Sequence, residues 1–260
     1  MRKVALGDTG IRVSRLSFGT AFMGPLSDHL SPQEGATLLL RALDQGISFW
    51  DTSEDYGTHP HVACALRRVR REQVTVASKL REPGTTVEQV LDELGTAYLD
   101  ILFVHEVGLA GTDVARGMAR AWQREKERGR VRAVGFATHS VHVTRLAAEW
   151  PEVDVLMVPI NATGVCTLDS AIEDGDVEQM LDATRQAWKE KKGIVAMKVM
   201  GCGSLADHPG AAISFAARLP YVHSLCIGMR SWAEVQQNIE LLALAQGDGW
   251  RAEQDDPPRQ

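Results

Sequence analysis

Residues 31–51, SPQEGATLLLRALDQGISFWD, contain the repeating unit that decides the fold. Ser31 and Glu34 form the capping-box pattern that begins a helix, because each side chain can bond the backbone N–H of the other. Gly46 provides the left-handed residue that commonly ends a helix. The apolar run ISFW that follows predicts a short buried strand, which ends at the charged Asp51. The stretch therefore predicts a helix, a closing glycine and a strand.

The same unit recurs along the chain. Residues 121–136, AWQREKERGRVRAVGF, and residues 183–198, ATRQAWKEKKGIVAMK, each contain a charged helical segment, a glycine and an apolar strand. Further apolar runs between polar segments complete the pattern. Together they predict eight strands, which begin at Leu16, Ile47, Val74, Ile101, Val131, Val155, Ile194 and Ser224.

Strands that alternate with helices pair in parallel, because each helix provides the crossover between neighbouring strands. Eight such units in about 250 residues predict a (β/α)8 barrel, also called a TIM barrel. An open doubly wound sheet is the rival, and it usually carries Gly-x-Gly-x-x-Gly after its first strand. Residues 18–24, FGTAFMG, do not match that pattern.

The two ends of the chain are interpreted separately. Residues 3–14, KVALGDTGIRVS, predict a short β-hairpin with its turn at residues 7–10, placed to close the N-terminal end of the barrel. The tail from about residue 247 is polar and proline-rich, so we expect it to be disordered. We interpret residues 1–260 as a single barrel domain.

Composition argues against several classes of partner. A formal net charge of −6 argues against nucleic acid or an anionic membrane as partner, because either would need a basic surface. No apolar run approaches the roughly 18 residues of a membrane span, and the first residues lack the apolar stretch of a secretory signal. We therefore expect a cytoplasmic protein. We also expect no metal site, because wide gaps separate the cysteines, Cys64, Cys166, Cys202 and Cys226.

Ionisable residues end three consecutive predicted strands. Asp51, Lys79 and His105 stand at these ends, and Tyr56 follows the first of them by five residues. In a barrel of this kind the carboxyl ends of the strands meet at one face, where active sites lie. Taken singly, each residue has a structural explanation: a turn acceptor, a surface cation, a core histidine and a packing aromatic. Four of them at one face favour a functional explanation.

These residue types suit proton transfer to a carbonyl oxygen. The ordinary pKa of tyrosine is about 10, and a neighbouring ammonium lowers it by stabilising the phenolate. Lys79 can supply that charge, and Asp51 can hold Lys79 in place as an ion pair. His105 can donate to or accept from the substrate oxygen. A reduction also needs a hydride, which no side chain supplies, so we expect a cofactor.

The chain resembles the aldo-keto reductases in several segments that lie in the family's order between Val4 and Leu242. They are LGDTGIRVSRLSFGT, GISFWDTSEDYG, VASK, YLDILFVH, GRVRAVGFATHS and IGMRSWAEVQQNIELL. The spacing Asp-x-x-x-x-Tyr-Gly, with the later lysine and histidine, is specific. The resemblance implies a barrel that uses a nicotinamide cofactor, usually NADPH. It makes Tyr56 the proton donor, Lys79 and Asp51 its tuning pair, and His105 the residue that orients the carbonyl.

The resemblance also implies a set of cofactor-binding residues. They are Gly19, Thr20, Asp51, Ala137, Thr138, Asn161, Met197, Lys198, Gly228, Arg230, Ser231 and Asn238. Some of these depart from the family pattern. Ala137 and Thr138 replace the usual serine and asparagine of the nicotinamide site, Met157 replaces a glutamine, and Met197 replaces a stacking aromatic residue. The glutamate that often follows Tyr-Gly is missing.

The choice of nucleotide depends on the segment after the eighth strand. Arg230 is its only cation, and with Ser231 at a helix N-terminus it can bind the 2′-phosphate of NADPH. Glu234 stands where many relatives carry a second arginine, and it could instead accept from the ribose hydroxyls of NADH. We expect NADPH, with NADH as the alternative. The structural explanation is that Arg230 simply pairs with Glu234 at helix spacing.

Three functions are compatible with these residues. The leading one is NAD(P)H-dependent reduction of an aldehyde, ketone or sugar-like carbonyl, with loops 23–31 and 106–113 shaping the pocket, and the other two are alternatives. The second is the reverse reaction, oxidation of an alcohol or lactol. The third is a nucleotide-binding barrel that acts as a sensor or partner subunit. We expect a small-molecule carbonyl as partner and a monomer or small homo-oligomer.

Overall fold

The computed structural model describes residues 1–25, 27, 29–81, 84–166 and 172–247. Two short strands form the N-terminal hairpin, β1 (Lys3–Ala5) and β2 (Arg12–Ser14). The strands of the barrel are β3 (Leu16–Gly19), β4 (Phe49–Asp51), β5 (Thr75–Leu80), β6 (Leu99–Val104), β7 (Val131–Ala137), β8 (Val155–Pro159), β9 (Gly193–Met197) and β10 (Ser224–Gly228). The helices are α1 (Pro32–Asp44), α2 (His59–Leu66), α3 (Val87–Leu94), α4 (Thr112–Glu127), α5 (Val141–Glu149), α6 (Val177–Lys189), α7 (Pro209–Ala217) and α8 (Trp232–Ala245).

The eight strands β3 to β10 close into a barrel in which every neighbouring pair is parallel. Strands that follow one another in sequence lie side by side, and β10 pairs with β3 to close the ring. The predicted (β/α)8 barrel is confirmed. The register places Asp51, the last residue of β4, between Gly19, the last residue of β3, and Ala77 of β5, which continues three residues further to Leu80.

The predicted helix start and stop signals hold in α1. The Ser31 hydroxyl accepts from the Glu34 backbone N–H at 3.3 Å, and the Glu34 carboxylate accepts from the Ser31 N–H at 2.9 Å. Gly46 follows the helix with φ +88°, a conformation that glycine adopts without strain. The strand after it begins at Phe49 rather than at Ile47. The backbone N–H groups of Ser48 and Phe49 donate to the Ser14 hydroxyl, so this side chain takes over the first part of the expected pairing.

The hairpin closes the N-terminal end of the barrel, as the sequence predicts. Its antiparallel strands pair Val4 with Val13. Apolar side chains of the hairpin pack against interior residues of the barrel strands, including Phe49, Phe103 and Val155. The barrel is therefore filled from below, and its open end lies at the carboxyl ends of the strands.

A second, larger core lies between the strands and the surrounding helices. It contains the outward-facing strand residues Trp50 and Phe136 together with apolar helix residues such as Leu39 and Ala119. This layer fixes the helices against the barrel and so holds the loops at the strand ends. The expected C-terminal tail lies almost wholly outside the described residues, and the single-domain interpretation stays a prediction. Within the described part of the chain, no helix combines the length and apolarity needed to cross a membrane.

Candidate active site

The four predicted catalytic residues lie together at the carboxyl ends of neighbouring strands. Asp51 is the last residue of β4, Lys79 lies near the end of β5, and His105 directly follows β6. Tyr56 ends a short 3-10 helix, Glu54–Tyr56, in the loop after β4. The parallel order β4, β5, β6 brings these loops side by side.

Lys79 and Asp51 form a buried ion pair. The Lys79 Nζ lies 2.6 Å from both carboxylate oxygens of Asp51 and 3.0 Å from the carbonyl oxygen of Thr52. Burial alone would lower the pKa of Lys79, but the Asp51 carboxylate raises it above its ordinary value. Lys79 is therefore an ammonium at neutral pH, and it needs the carboxylate because an unpaired buried charge is strongly unfavourable.

The ring of Tyr56 lies over this ammonium, with the Lys79 Nζ 4.8 Å from the ring centroid. Burial raises the pKa of Tyr56 to about 12, and the charge of Lys79 opposes that shift. Lys79 thus lowers the pKa of Tyr56, as expected from the sequence, but burial raises that pKa by more. The phenol is protonated at neutral pH, which is the state that a proton donor requires.

His105 stands edge-on to Tyr56, with 5.9 Å between the ring centroids. Burial lowers the pKa of His105 to about 3, and the positive charge of Lys79 acts in the same direction. Its Nδ1 lies 3.3 Å from the Ser53 hydroxyl and 3.4 Å from a carboxylate oxygen of Asp55. The distance between His105 and Asp55 is within the range of an ion pair. Because the imidazole is neutral, however, His105 is better described as a hydrogen-bonded ring than as one member of an ion pair.

Ser53, Asp55 and Cys226 were missed as site residues in the sequence. Asp55 also accepts from Arg81 at 3.0 Å. Cys226, on β10, donates from its thiol to Asp51 at 3.5 Å. Ser53 and Asp55 stand inside the stretch DTSEDYG between Asp51 and Tyr56, so their position was a signal. Nothing in the sequence indicated Cys226. It comes close to Asp51 because the closed barrel pairs β10 with β3, the strand beside β4.

The barrel interior below the strand ends is apolar. Ala137 and Met157 are register partners on β7 and β8 and belong to the core inside the barrel. Met197 and Cys226 are partly buried against the same core. Three of these four positions are ones where the sequence departs from the family pattern. Of the four, only Met197 and Cys226 keep some exposed surface, and a methionine adapts its shape to the face of a flat ring.

Two predicted nicotinamide contacts have their polar atoms engaged by neighbouring loops. The Thr138 hydroxyl donates to the Val107 carbonyl at 2.5 Å and accepts from the Ser140 N–H. The Asn161 side chain donates to the carbonyls of Val165 and Lys198 at 2.9 and 3.0 Å. These side chains hold the loops together and do not present free groups to the pocket.

A third predicted contact, Thr20, is also turned into the protein. Its hydroxyl lies 2.8 Å from that of Thr58, and the side chain is fully buried. Lys198 differs from these residues. It is half-buried with φ +55°, and its charge lowers the pKa of His105. In the part of the chain that the structure describes, its ammonium makes no hydrogen bond or ion pair.

The expected adenosine-phosphate side lies at the N-terminus of α8. Ser231 caps the helix by accepting from the Glu234 N–H at 3.3 Å. Glu234 accepts from the backbone N–H of Arg230 at 2.8 Å and from its guanidinium at 3.2 Å. The pairing considered from the sequence is thus present. Asn238, one turn further along α8, is buried.

The strands β3 and β10, which lie between α8 and the four predicted catalytic residues, end in glycines and so present backbone without side chains. Gly19 and Gly228 are register partners on β3 and β10, and a Cβ at Gly19 would come within 3.2 Å of the Gly228 nitrogen. The ring of Phe22 lies against Gly228, although the side chain is 50% exposed. The loop after β6 presents a second apolar residue, Leu109, which is 48% exposed. The loop of residues 106–113, expected to shape the pocket, thus carries an exposed apolar group. Phe22 directly precedes the other expected loop, residues 23–31, in which Leu26 and Asp28 lie outside the described residues.

The profile of the Aldo/keto reductase family matches residues 15–210, which is most of the chain. The chain belongs to this family. Among the described residues, no group of three or more histidine, cysteine, aspartate or glutamate side chains could hold a metal ion.

Individual aldo-keto reductase relatives are distant in sequence. D-threo-aldose 1-dehydrogenase of a Pseudomonas species is 23% identical, and the alignment covers 92% of each chain. L-galactose dehydrogenase of Arabidopsis thaliana is 26% identical over 149 residues, which are 51% of this chain and 47% of that enzyme. The chain thus matches about half the length of that relative.

The fold extends over nearly the whole chain. A crystal structure of a Pseudomonas aeruginosa protein assigned to the aldo-keto reductases superposes with a TM-score of 0.75, covering 94% of this chain and 95% of that one. The two are 24% identical, so this likeness shows the fold alone.

Proposed function

We propose that the protein is a nicotinamide-dependent reductase of small carbonyl compounds, with Tyr56 as proton donor. The observation that carries the proposal is the buried pair of Lys79 and Asp51 beneath the Tyr56 ring, with His105 beside it. A buried ion pair stabilises a fold weakly at best, so its presence at the strand ends calls for another explanation. Activation of the tyrosine provides one.

The proposed roles follow from charge. As hydride reaches the carbonyl carbon, negative charge develops on the oxygen, and the Tyr56 hydroxyl transfers its proton there. Loss of this proton converts Tyr56 to a phenolate, and the nearby ammonium of Lys79 stabilises its negative charge. Asp51 keeps Lys79 protonated and in position. His105, neutral at neutral pH, hydrogen-bonds the substrate and fixes its orientation.

The residues present fit a nicotinamide nucleotide, although not in every contact that the family resemblance implied. Met197, which is partly buried against the interior core that contains Ala137 and Met157, offers an apolar surface for the nicotinamide ring, which supplies the hydride when it is bound. Gly19 and Gly228 let the ends of β3 and β10 approach each other and the Phe22 ring closely, because a side chain at either position would meet these groups. The engaged side chains of Thr138 and Asn161 give the carboxamide no free partner, so we propose that the ring is held mainly by packing.

We propose NADPH as the nucleotide. Arg230 and Glu234 are 48% and 35% exposed, and exposed ion pairs contribute only about 0–1 kcal/mol. Charge-assisted bonds to a phosphate contribute about 1.5–3 kcal/mol each, so Arg230 can exchange Glu234 for the 2′-phosphate. Glu234 still repels a phosphate, and it could accept from the 2′-hydroxyl of NADH, which is the alternative.

The proposed substrate class is an aldehyde, ketone or sugar-like carbonyl. The two sugar dehydrogenases among the relatives support the sugar-like part of this class. They also support the oxidising direction as a second candidate, since Tyr56 and Lys79 serve both directions. We further propose a single barrel domain in a cytoplasmic monomer or small homo-oligomer, in keeping with the acidic charge and the free thiols.

A cofactor assay tests the proposal. NADPH and NADH are each mixed with the protein and a panel of aldehydes, ketones and aldoses, and loss of nucleotide absorbance is followed. NADP+ and NAD+ with the matching alcohols and aldoses test the reverse direction. We expect turnover of at least one carbonyl. Tight nucleotide binding without turnover across both panels would contradict the reductase proposal and favour a binding protein.

A further inference from the structure

Two cysteines meet where the loops after β8 and β9 cross. The thiol of Cys202, in the loop after β9, donates to the backbone carbonyl of Cys166, in the loop after β8, at 2.9 Å. The Asn161 side chain ties the same two loops together, because it donates to the carbonyls of Val165 and Lys198 at 2.9 and 3.0 Å. Both cysteines are free thiols. The crossing of the loops therefore brings a pair of thiols together.

The separation of the two cysteines suits a disulfide. A carbonyl oxygen lies about 2.4 Å from the Cα of its own residue, so the Cys202 sulfur is within about 5.3 Å of the Cys166 Cα. The Cys166 sulfur now contacts the Gly164 carbonyl at 3.5 Å, and rotation about one side-chain bond moves it away from there. Disulfides join residues whose Cα atoms lie about 4.4–6.8 Å apart. A side-chain rotation with a small movement of the loops can therefore form the bridge.

The two thiols differ in how easily an oxidant reaches them. Cys202 is half-buried, whereas Cys166 is fully buried. Burial raises the pKa of the Cys166 thiol to about 12, and a negative charge on Cys202 acts in the same direction, as expected for neighbouring sulfurs. Cys202 is therefore the thiol that meets an oxidant first, and Cys166 stays protected until an oxidised Cys202 lies beside it.

The turn that carries Cys202 has an unusual backbone. Lys198, Gly201, Cys202 and Gly203 all have positive φ, and Cys202 itself has φ 52° and ψ 32°. A left-handed conformation is uncommon for a residue with a Cβ, and it persists only where the surroundings maintain it. The bond from the Cys202 thiol to the neighbouring loop is one contact that does so. The turn thereby directs the Cys202 sulfur at Cys166.

We infer that Cys166 and Cys202 are a reversible modification site, at which a hydroperoxide such as hydrogen peroxide joins the two thiols in a disulfide. The bridge ties the loop that begins at Lys198 to the loop after β8. Met197, the proposed surface for the nicotinamide ring, directly precedes that loop. We expect the bridge to slow the release of a bound nucleotide, because the loop can no longer move away from its neighbour. This consequence, unlike the disulfide itself, rests on the proposed function.

The oxidation takes place in two steps. The Cys202 sulfur attacks one oxygen of hydrogen peroxide, the O–O bond breaks, and the sulfur becomes a sulfenic acid while the other oxygen leaves as water with the thiol proton. The Cys166 sulfur then attacks the sulfenic sulfur, the S–O bond breaks, and a second water leaves with the second thiol proton. The two thiols lose two electrons, and the peroxide gains them. A dithiol such as dithiothreitol reverses the change by thiol–disulfide exchange.

Mass spectrometry of the full chain tests the site. The protein is treated with a small excess of hydrogen peroxide, its remaining thiols are alkylated, and it is digested with trypsin without reductant. Trypsin releases Cys166 within residues 146–185 and Cys202 within residues 199–218. We expect these two peptides joined, with the loss of two hydrogens, and separated again by dithiothreitol.

Two variants control this measurement. Cys202→Ser keeps a donor for the Cys166 carbonyl and should abolish the joined peptide. Cys64→Ser, at a half-buried position on α2, should leave it unchanged. A sulfinic acid on Cys202 with an alkylated Cys166 would overturn the inference, and so would two alkylated thiols after the treatment.

The release of nucleotide tests the consequence. NADPH bound to untreated or cross-linked protein is chased with excess NADP+, and its fluorescence is followed by stopped flow. We expect release to be slower by about threefold or more in the cross-linked protein, since loop opening commonly gates release. Treated Cys202→Ser should keep the rate of untreated protein. Dithiothreitol should restore the original rate, because it reduces a disulfide but not a methionine sulfoxide such as one at Met197.

The two measurements separate this inference from the proposed function. Equal rates before and after cross-linking would contradict the effect on nucleotide release. A protein that binds neither NADPH nor NADH would contradict the proposed function and with it that effect. The joined peptide does not depend on nucleotide binding, so it decides the disulfide in either case.

Discussion

The Lys79 Nζ lies 2.6 Å from each carboxylate oxygen of Asp51, and both side chains are almost fully buried. Two opposite charges so close and so shielded from water act as one unit. Removing either partner leaves the other as an isolated charge in a poorly solvated place. The pair therefore links the stability of the barrel to the chemistry proposed at its open end.

The first prediction concerns Tyr56. Tyr56→Phe keeps the ring over Lys79 and removes only the hydroxyl, so nucleotide affinity should change little. Turnover should fall about 10²–10⁴-fold, the usual effect of a general acid. Tyr98→Phe is the control, because Tyr98 contacts Arg71 near the other end of the barrel. Unmutated turnover in Tyr56→Phe, measured where chemistry limits the rate, would contradict the role of Tyr56.

The second prediction concerns the two members of the ion pair. Lys79→Met removes the cation, leaves Asp51 buried without a partner, and should abolish turnover. The free energy of unfolding should fall by about 3–5 kcal/mol, as measured by urea denaturation. Lys189→Met, on an exposed position of α6, should leave both properties nearly unchanged.

Asp51→Asn should destabilise the protein less than Lys79→Met. The amide oxygen of asparagine and the Thr52 carbonyl still accept from Lys79, and the lysine can also release its proton. A Lys79→Met protein as stable as the unmutated one would show that the pair is not the buried unit described above.

Much of the site could be predicted from the sequence, because it depends on strand ends. The order of strands places Asp51, Lys79 and His105 at one face, and this needs no knowledge of the loops. The hydrogen bonds of Thr138 and Asn161 could not be predicted in this way. They run to the carbonyls of Val107, Val165 and Lys198, and these contacts depend on how separate loops cross at the open end.

The fold was also predictable from local patterns, and its prediction was wrong where a contact between residues distant in sequence intervenes. Helix caps such as Ser31 and Glu34 are local, and the alternation of helix and strand determines the barrel. The start of β4 shifted from Ile47 to Phe49 because the Ser14 hydroxyl, which is distant in sequence, takes the first backbone donors. Asp55 lies in the informative stretch between Asp51 and Tyr56, but its approach to His105 depends on how the loops after β4 and β6 meet, which the sequence does not show.

The third prediction concerns stability at acidic pH. Burial lowers the pKa of His105 from its ordinary 6.5 to about 3, so the unfolded chain binds a proton more readily than the folded one. Above pH 6.5 the His105 ring is neutral in both states and does not lower the free energy of unfolding. As the pH falls from 6.5 towards 3, the free energy of unfolding decreases, because the unfolded chain takes up a proton that the folded chain does not. His105→Asn should therefore show a weaker loss of stability over this interval than the unmutated protein.

Denaturation by urea at a series of pH values measures this dependence. His142→Asn is the matched control, because His142 is exposed on α5. His223, whose pKa burial lowers to about 4, should contribute a similar dependence of its own, so part of the slope will persist in His105→Asn. Identical slopes for His105→Asn and the unmutated protein would mean that His105 is not buried as a neutral ring.

The last prediction concerns the nucleotide and the pair of Arg230 and Glu234. Arg230→Ala removes the guanidinium proposed for the 2′-phosphate and should weaken NADPH about tenfold or more, since charge-assisted bonds contribute about 1.5–3 kcal/mol. NADH lacks that phosphate and should bind nearly unchanged. Glu234→Gln keeps the size of the side chain and removes the repulsion, so NADPH should bind more tightly.

Exposed Arg218, after α7, provides the control Arg218→Ala. Calorimetric titration of both nucleotides measures these affinities. An equal loss for NADPH and NADH in Arg230→Ala would show that Arg230 does not discriminate, and tighter NADH binding by the unmutated protein would reverse the proposed preference. In that case the carboxylate of Glu234, already 2.8 Å from the Arg230 nitrogen, would be the group that selects the free ribose hydroxyl.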